Sequence, residues 1–133
     1  LVRSRGLGDV YKRQVLDIME SEDIPGRARQ LGRRLLNGLQ QALHGLPDVL
    51  AVRGQGLMVG IELNRNCQEL VGRALAQQRL LITVTRESTI RLLPPLICDE
   101  RQIDDMVARL ACLLESASAA QAGAPAAGQL AAA

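Results

Sequence analysis

One arginine, Arg91, sits in the apolar run Thr89-Ile90-Arg91-Leu92-Leu93-Pro94-Pro95-Leu96, a pattern that reads as a buried strand stopped by a double proline. A permanently charged guanidinium among aliphatic neighbours needs a partner, because burying it unpaired is costly. Its planar fork of N–H donors matches a carboxylate held by two parallel hydrogen bonds. The chemistry it offers is therefore recognition of an anionic group on a ligand. Two plainer roles stand beside that one: an ion pair with an acid of the chain itself, or a side chain whose stem covers apolar surface while its head stays in water.

Other chemistry-bearing residues are sparse. His44, the single histidine, falls near the expected end of a helix with no serine or cysteine placed as its partner, which points to helix-end stabilisation or exposure rather than catalysis. Cys67, Cys98 and Cys112 are odd in number and irregularly spaced, so they read as free thiols in a reducing compartment, with no zinc-site spacing. Gly54-Gln55-Gly56 lacks the third glycine and the following helix of a dinucleotide site and is better read as a turn between strands. The chain has no Walker phosphate loop and no His-Glu-x-x-His element. Its only lysine is Lys12, so chemistry through a lysine Schiff base has no candidate beyond that position.

The elements that position Arg91 follow from hydrophobic spacing. Val15 to Glu20 reads as the last turns of a helix. Ile24-Pro25 opens a second helix, with proline suited to the first turn and Ala28, Leu31, Leu35, Leu39 and Leu43 at helical spacing up to a stop at Gly45. Gly32 and Gly38 each weaken that helix by about 1 kcal/mol relative to alanine, so either close helix packing or simple tolerance must account for them. Leu50 to Arg53 and Leu57 to Leu63 read as strands, the second with Leu57, Val59, Ile61 and Leu63 on one face and Met58, Gly60 and Glu62 on the other. For Glu62 a solvated edge carboxylate is the expectation, and Met58 and Met106 are expected to fill the core. Asn66 with Glu69 resembles a capping box ahead of a helix striped by Leu70, Val71, Ala74 and Leu75. Leu80 to Val84 is the third strand, Thr85 to Ser88 a turn into the Arg91 strand. Asp99 with Gln102 then caps a last helix lined by Ile103, Met106, Val107, Leu110 and Leu114. The order predicts an α/β (α+β) fold, with helices packed on a small mixed sheet of about four strands.

Both ends differ from this middle. Of the formal charge of +2, Leu1 to Gln14 supplies a net +3 and the rest a net −1. That leader also holds Tyr11, the only aromatic residue, and Ser4 to Gln14 resembles a translated sequencing-library adapter. Residues 1–14 are therefore expected to be a sequencing or cloning scar, with the natural protein cut at Val15; the alternative is a natural basic N-terminal arm that binds nucleic acid or a membrane. Without them no basic patch remains for nucleic acid or a membrane surface, no run of about 18 apolar residues exists to span a bilayer, and no secretory signal is visible. Residues 15–115 hold enough aliphatic side chains for one small domain. From residue 116 to residue 133 alanine, glycine, glutamine, serine and proline replace the apolar stripe, and a disordered tail is expected there, with a frayed helical extension, which the alanines allow, as the alternative.

Taken together, Val52-Arg53-Gly54-Gln55-Gly56-Leu57-Met58-Val59-Gly60-Ile61-Glu62-Leu63, then Leu80 to Val84, then Ile90-Arg91-Leu92-Leu93-Pro94-Pro95-Leu96, resemble the C-terminal small domain of class III pyridoxal-phosphate-dependent aminotransferases, and among them most closely the acetylornithine aminotransferases. The likeness runs from Val15 to about Leu114. It implies a fold-type I transferase with pyridoxal 5'-phosphate, homodimeric and cytoplasmic, moving an amino group between N-acetylornithine and 2-oxoglutarate in arginine biosynthesis. Its partners would be small-molecule amino-acid and 2-oxo-acid substrates. By the same resemblance Arg91 binds a substrate carboxylate, Arg53 is structural, and the Schiff-base lysine, the acid for the pyridine nitrogen and the phosphate-binding stretch precede Val15. The chain as given is then a fragment without catalytic or cofactor-binding residues and inactive alone. Ornithine, succinylornithine and 4-aminobutyrate aminotransferases share the scaffold. A free-standing amino-acid-binding α/β module using Arg91, or an interaction domain with no ligand, are the readings from other classes.

Overall fold

In a computed structural model, residues 7–122 are described. The elements run α1 (Leu7–Ser21), α2 (Ile24–Ala42), β1 (Val49–Gln55), β2 (Met58–Leu63), α3 (Glu69–Gln78), β3 (Thr83–Thr85), β4 (Thr89–Leu92) and α4 (Glu100–Ala122). The strands form one sheet in the order β1-β2-β4-β3. Every pairing is antiparallel, where a mixed sheet was expected. The reason is the path after α3: the chain enters the outer edge as β3, and the hairpin brings β4 back beside β2 in the opposite sense.

One face of the sheet carries the core. Val59, Ile61 and Leu63 of β2 and Ile90 and Leu92 of β4 are buried there against Leu35 and Leu39 of α2, Leu70 of α3, and Ile103, Leu110 and Leu113 of α4. Alternation makes this possible, since every second residue of a strand points the same way. The helices meet the expectations unequally. In α2, Asp23 accepts a hydrogen bond from the Gly26 amide at 3.1 Å and Pro25 lies in the first turn. In α4 the capping box is complete, with the Gln102 amide donating to Asp99 Oδ1 at 2.8 Å and the Asp99 amide donating to Gln102 Oε1 at 3.0 Å. In α3 it is not: Asn66 accepts from the Gln68 amide two residues on, and Glu69 pairs with Arg65 instead. Of the α3 stripe Leu70 and Ala74 are buried, while Val71 and Leu75 face outward.

The two helix glycines have packing reasons. A Cβ on Gly32 would overlap the carbonyl of Gly56, so α2 lies directly on the β1–β2 turn. A Cβ on Gly38 would come to 3.1 Å from a Val107 methyl, where α2 crosses α4. Arg34 links the same two helices through both oxygens of Asp104, at 2.7 Å each, and through Glu100 at 3.0 Å.

Three boundaries differ from the sequence expectation. Helix α1 runs from Leu7 to Ser21 without a break at Val15. Strand β3 is only Thr83–Thr85, because Arg79 (φ 51°) ends α3 in the left-handed region and Leu81 stays exposed. The junction expected at Ser116 lies inside α4: alanine favours the helix, Ala117 is buried, and Arg73 donates to the Ser116 hydroxyl at 3.2 Å. The rest of the expected tail, residues 123–133, and the leader's first six residues lie outside the described residues.

Candidate functional site

The sheet face away from the helices holds the candidate site. In antiparallel pairs, directly opposed residues project to the same face. The register opposes Gly60 to Arg53 on β1 and to Arg91 on β4, and Arg91 to Thr83 on β3. A single row therefore crosses all four strands: Arg53, Gly60, Arg91, Thr83. Beside it, Glu62 is opposed to Ala51 and Thr89, and Thr89 to Thr85.

Arg91 is exposed, which corrects the premise of a charge buried in an apolar strand. The run is apolar because Ile90 and Leu92 face the core; Arg91, between them, points to the open face. Its Nε donates to Thr83 Oγ1 at 3.4 Å, and the same hydroxyl donates to the Arg91 carbonyl at 3.3 Å. Among the described residues no carboxylate forms an ion pair with Arg91, so its terminal nitrogens are available to a ligand.

A depression of about 360 Å³ lies over this row, lined by Arg53, Gly54, Gln55, Met58, Val59, Gly60, Thr85, Thr89 and Arg91. Two cations and no carboxylate line it, so it favours an anion. Gly60 makes the floor low: a Cβ there would meet only Thr89 Cγ2 at 3.7 Å and the Arg53 carbonyl at 4.0 Å, so space above the glycine is open. Met58, expected in the core, is 53 % exposed and forms part of this wall instead. Met106 packs against the core as anticipated.

Glu62 is on a central strand, not an edge, and Arg53 Nη1 donates to its Oε2 at 2.7 Å. Arg53, expected to serve only structure, thus reaches the same depression as Arg91. The alternation of β2 puts Glu62 and Gly60 together on the face opposite the core, but the register that sets Arg53 beside them comes from the turn. That turn is tight, with Gln55 opposed to Met58 and Gly56 at φ +55°, the left-handed value a two-residue hairpin demands.

The other candidates lie elsewhere. His44 is exposed in the turn after α2 and does not line the depression. Cys67 and Cys98 are buried free thiols, Cys112 is exposed, and burial pushes the Cys67 thiol above its ordinary value. Among the described residues no helix is long and apolar enough to cross a membrane.

Comparison with known proteins gives these residues a setting. The family described as "Aminotransferase class-III" matches residues 10–114. Acetylornithine aminotransferase 1 of Bordetella pertussis is 45% identical over 107 residues, covering 80% of this chain and 27% of that protein. Ornithine aminotransferase 1 of Staphylococcus aureus is 39% identical over 93 residues, covering 70% and 23%. Among solved structures, acetylornithine aminotransferase from Elizabethkingia anophelis superposes with a TM-score of 0.70 at 28% identity, covering 76% of this chain and 26% of that one. The chain thus spans about a quarter of the length of the curated relatives it matches.

Such a family implies pyridoxal phosphate, whose chemistry requires an amine for its aldehyde, an acid for its ring nitrogen and donors for its phosphate. The depression offers guanidinium, hydroxyl, thioether and amide groups only, and the sole lysine, Lys12, is exposed on α1. The described residues do not fit that group by themselves. What they do fit is a carboxylate.

Proposed function

Because this chain belongs to the class III aminotransferase family, we propose that its open sheet face is the carboxylate-binding part of an aminotransferase site and that it works within a longer polypeptide. One observation carries the reading: Arg91 stands on that face with no ion pair among the described residues, over an open glycine floor. Its fork takes the carboxylate of an amino-acid or 2-oxo-acid substrate through paired hydrogen bonds. Thr83 fixes the arginine's Nε, so less side-chain freedom is lost when the ligand arrives. Pyridoxal phosphate, held by residues outside this chain, supplies the amino-group chemistry itself.

In its finer form the reaction is transfer between N-acetylornithine and 2-oxoglutarate, in arginine biosynthesis, by a cytoplasmic homodimer. Similarity to acetylornithine aminotransferases supports that choice. Similarity to ornithine aminotransferases supports ornithine as the alternative donor. Residues 1–14 remain a proposed scar, 15–115 the proposed domain, and the part of 116–133 beyond α4 a proposed tail.

The test is Arg91→Gln in the intact enzyme. Loss of one charge-assisted carboxylate contact is worth about 1.5–3 kcal/mol, or roughly tenfold to a hundredfold in affinity. The KM for both substrates should rise by that factor. Unchanged KM values for both would reject Arg91 as the carboxylate ligand. As a companion test, the 133-residue chain mixed with pyridoxal phosphate should develop no Schiff-base absorption band from a buried lysine.

A further inference from the structure

Of the four arginines of α2, two are engaged and two are not. Arg27 donates to the Ile97 and Cys98 carbonyls at 3.2 and 2.8 Å, and Arg34 holds Asp104 and Glu100. Arg29 and Arg33 form no ion pair among the described residues, and both line a pocket of about 140 Å³ together with Gly32, Leu36, Gly54 and Gly56. We propose that this pocket, between α2 and the β1–β2 hairpin, is a phosphate-binding site with Arg29 and Arg33 as its ligands. It lies on the helix side of the hairpin and does not rest on the reading of Arg91.

The sequence of α2 sets the two guanidinium groups together. Arg29, Gly32, Arg33 and Leu36 occupy positions i, i+3, i+4 and i+7, one stripe of the helix. Like charges four residues apart repel and weaken a helix, and α2 carries no acidic residue to offset them. No acidic residue lines the pocket either. Gly32, inside the stripe, brings the helix onto the Gly56 carbonyl, so the stripe faces the hairpin. From the other side Gly54 and Gly56 present backbone and no side chain. An anion held there meets two planar donor forks on one wall and an unobstructed approach on the other.

A tetrahedral phosphate suits this arrangement better than a carboxylate. One arginine fork takes up both oxygens of a carboxylate and would leave the second arginine over, whereas a phosphate has oxygens for two forks and a charge close to the sum of both cations. At about 30 Å³ per water, the pocket holds roughly five waters, which fits a phosphate group and is too small for a nucleotide base or a folded peptide segment. Both arginines are exposed, so the group is either inorganic phosphate or the end of a phosphomonoester, and its affinity falls as salt rises.

The experiment is calorimetric titration of the intact enzyme, with its cofactor bound so that the donors for the cofactor's own phosphate are filled. The titrants are inorganic phosphate and glycerol 3-phosphate, at an ionic strength held constant with chloride. Saturable binding of at least one, on the order of millimolar, is expected, and the tighter of the two identifies the source of the group. Arg29→Gln and Arg33→Gln should each weaken it by roughly tenfold to a hundredfold, the loss of one charge-assisted contact. Arg29→Lys, which keeps the charge without the fork, should recover part of the affinity. Arg101→Gln removes an exposed charge of the same sign from the neighbouring helix α4 and should leave the affinity unchanged. As a second readout, phosphate well above its Kd should raise the thermal midpoint of the wild type and not that of Arg33→Gln. Equal weakening by Arg29→Gln, Arg33→Gln and Arg101→Gln would show a general charge effect and overturn the site. Loss of phosphate binding in Arg91→Gln but not in Arg29→Gln would put the anion in the open-face depression and overturn it too. If neither compound binds the intact enzyme saturably, the two arginines serve a carboxylate of the longer polypeptide or stay in water, and the proposal falls.

Discussion

Gly60→Val is the perturbation that best separates site from scaffold. Gly60 lies in the interior of a central strand, where glycine costs about 0.5–1 kcal/mol in backbone entropy. Its φ is not in the left-handed region, and a built Cβ meets nothing nearer than Thr89 Cγ2 at 3.7 Å, so the backbone accepts a side chain there. Strand propensity adds a gain of up to about 1 kcal/mol. The variant should therefore be more stable by about 1 kcal/mol. With a urea m-value of about 2 kcal/mol/M, that moves the midpoint up by about 0.5 M. Carboxylate affinity in the intact enzyme should move the other way, down by roughly tenfold to a hundredfold, because the new side chain stands between Arg53 and Arg91 where the ligand lies. Urea denaturation of the chain followed by circular dichroism, and glutarate titration of the intact enzyme, read the two halves. A midpoint that falls would mean the floor is not open. An affinity that stays put would mean the carboxylate does not lie over this row.

Gly32→Ala should destabilise the chain by about 1–3 kcal/mol despite the better helix former, since the added carbon strikes the backbone of Gly56 and forces α2 off the hairpin; a stability gain in urea denaturation would show that the contact yields. The Asp104 carboxyl is held below its ordinary value by the hydrogen bonds from Arg34, so the folded state binds fewer protons than the unfolded state in the acid range. Its contribution is complete above the ordinary carboxyl range and is lost as pH falls toward the lowered folded value. Asp104→Asn should flatten the acid limb of stability against pH below about 5, and identical acid limbs for the variant and the parent would refute the linkage.

The parts of this fold legible in the sequence are those where one local rule suffices. Leu31, Leu35, Leu39 and Leu43 repeat at helical spacing and are buried as the spacing requires. Asp99 and Gln102 form the capping box that their separation announces. Val59, Ile61 and Leu63 alternate into the core. Of the candidate site the sequence singles out Arg91, although for a partly mistaken reason: a charge flanked by Ile90 and Leu92 can occupy the open face of a one-sided sheet as readily as a buried position.

What was not legible depended on pairing across distance. Alternation places Glu62 and Gly60 on one face of β2, but nothing in β2 names the residues of β1 and β4 that lie opposite. Arg53 enters the site through the length of the Gly56-Leu57 turn, and Arg91 through a hairpin whose turn at Thr85 to Ser88 is legible but whose backbone conformation is not. Arg86 and Glu87 both take positive φ, at 50° and 62°, where glycine or asparagine would be the ordinary choice. They are held there by bonds to the end of the neighbouring strand β2 and the segment after it: the Leu63 amide donates to the Ser88 carbonyl at 2.8 Å and the Cys67 amide to the Glu87 carbonyl at 2.7 Å.

A one-sided sheet also explains why relatives with different amino donors share this segment. The buried face commits Val59, Ile61, Ile90 and Leu92 to the core, and leaves alternate positions of the same strands free to carry charge at little cost in folding. A carboxylate is common to every amino acid and every 2-oxo acid, so the proposed carboxylate row would serve enzymes with either donor alike. Discrimination between donors must then come from contacts to the far end of the substrate, off the row. By that logic, exchanging residues 49–92 between two such relatives should carry over the affinity for glutarate and leave the choice between acylated and free donor unchanged.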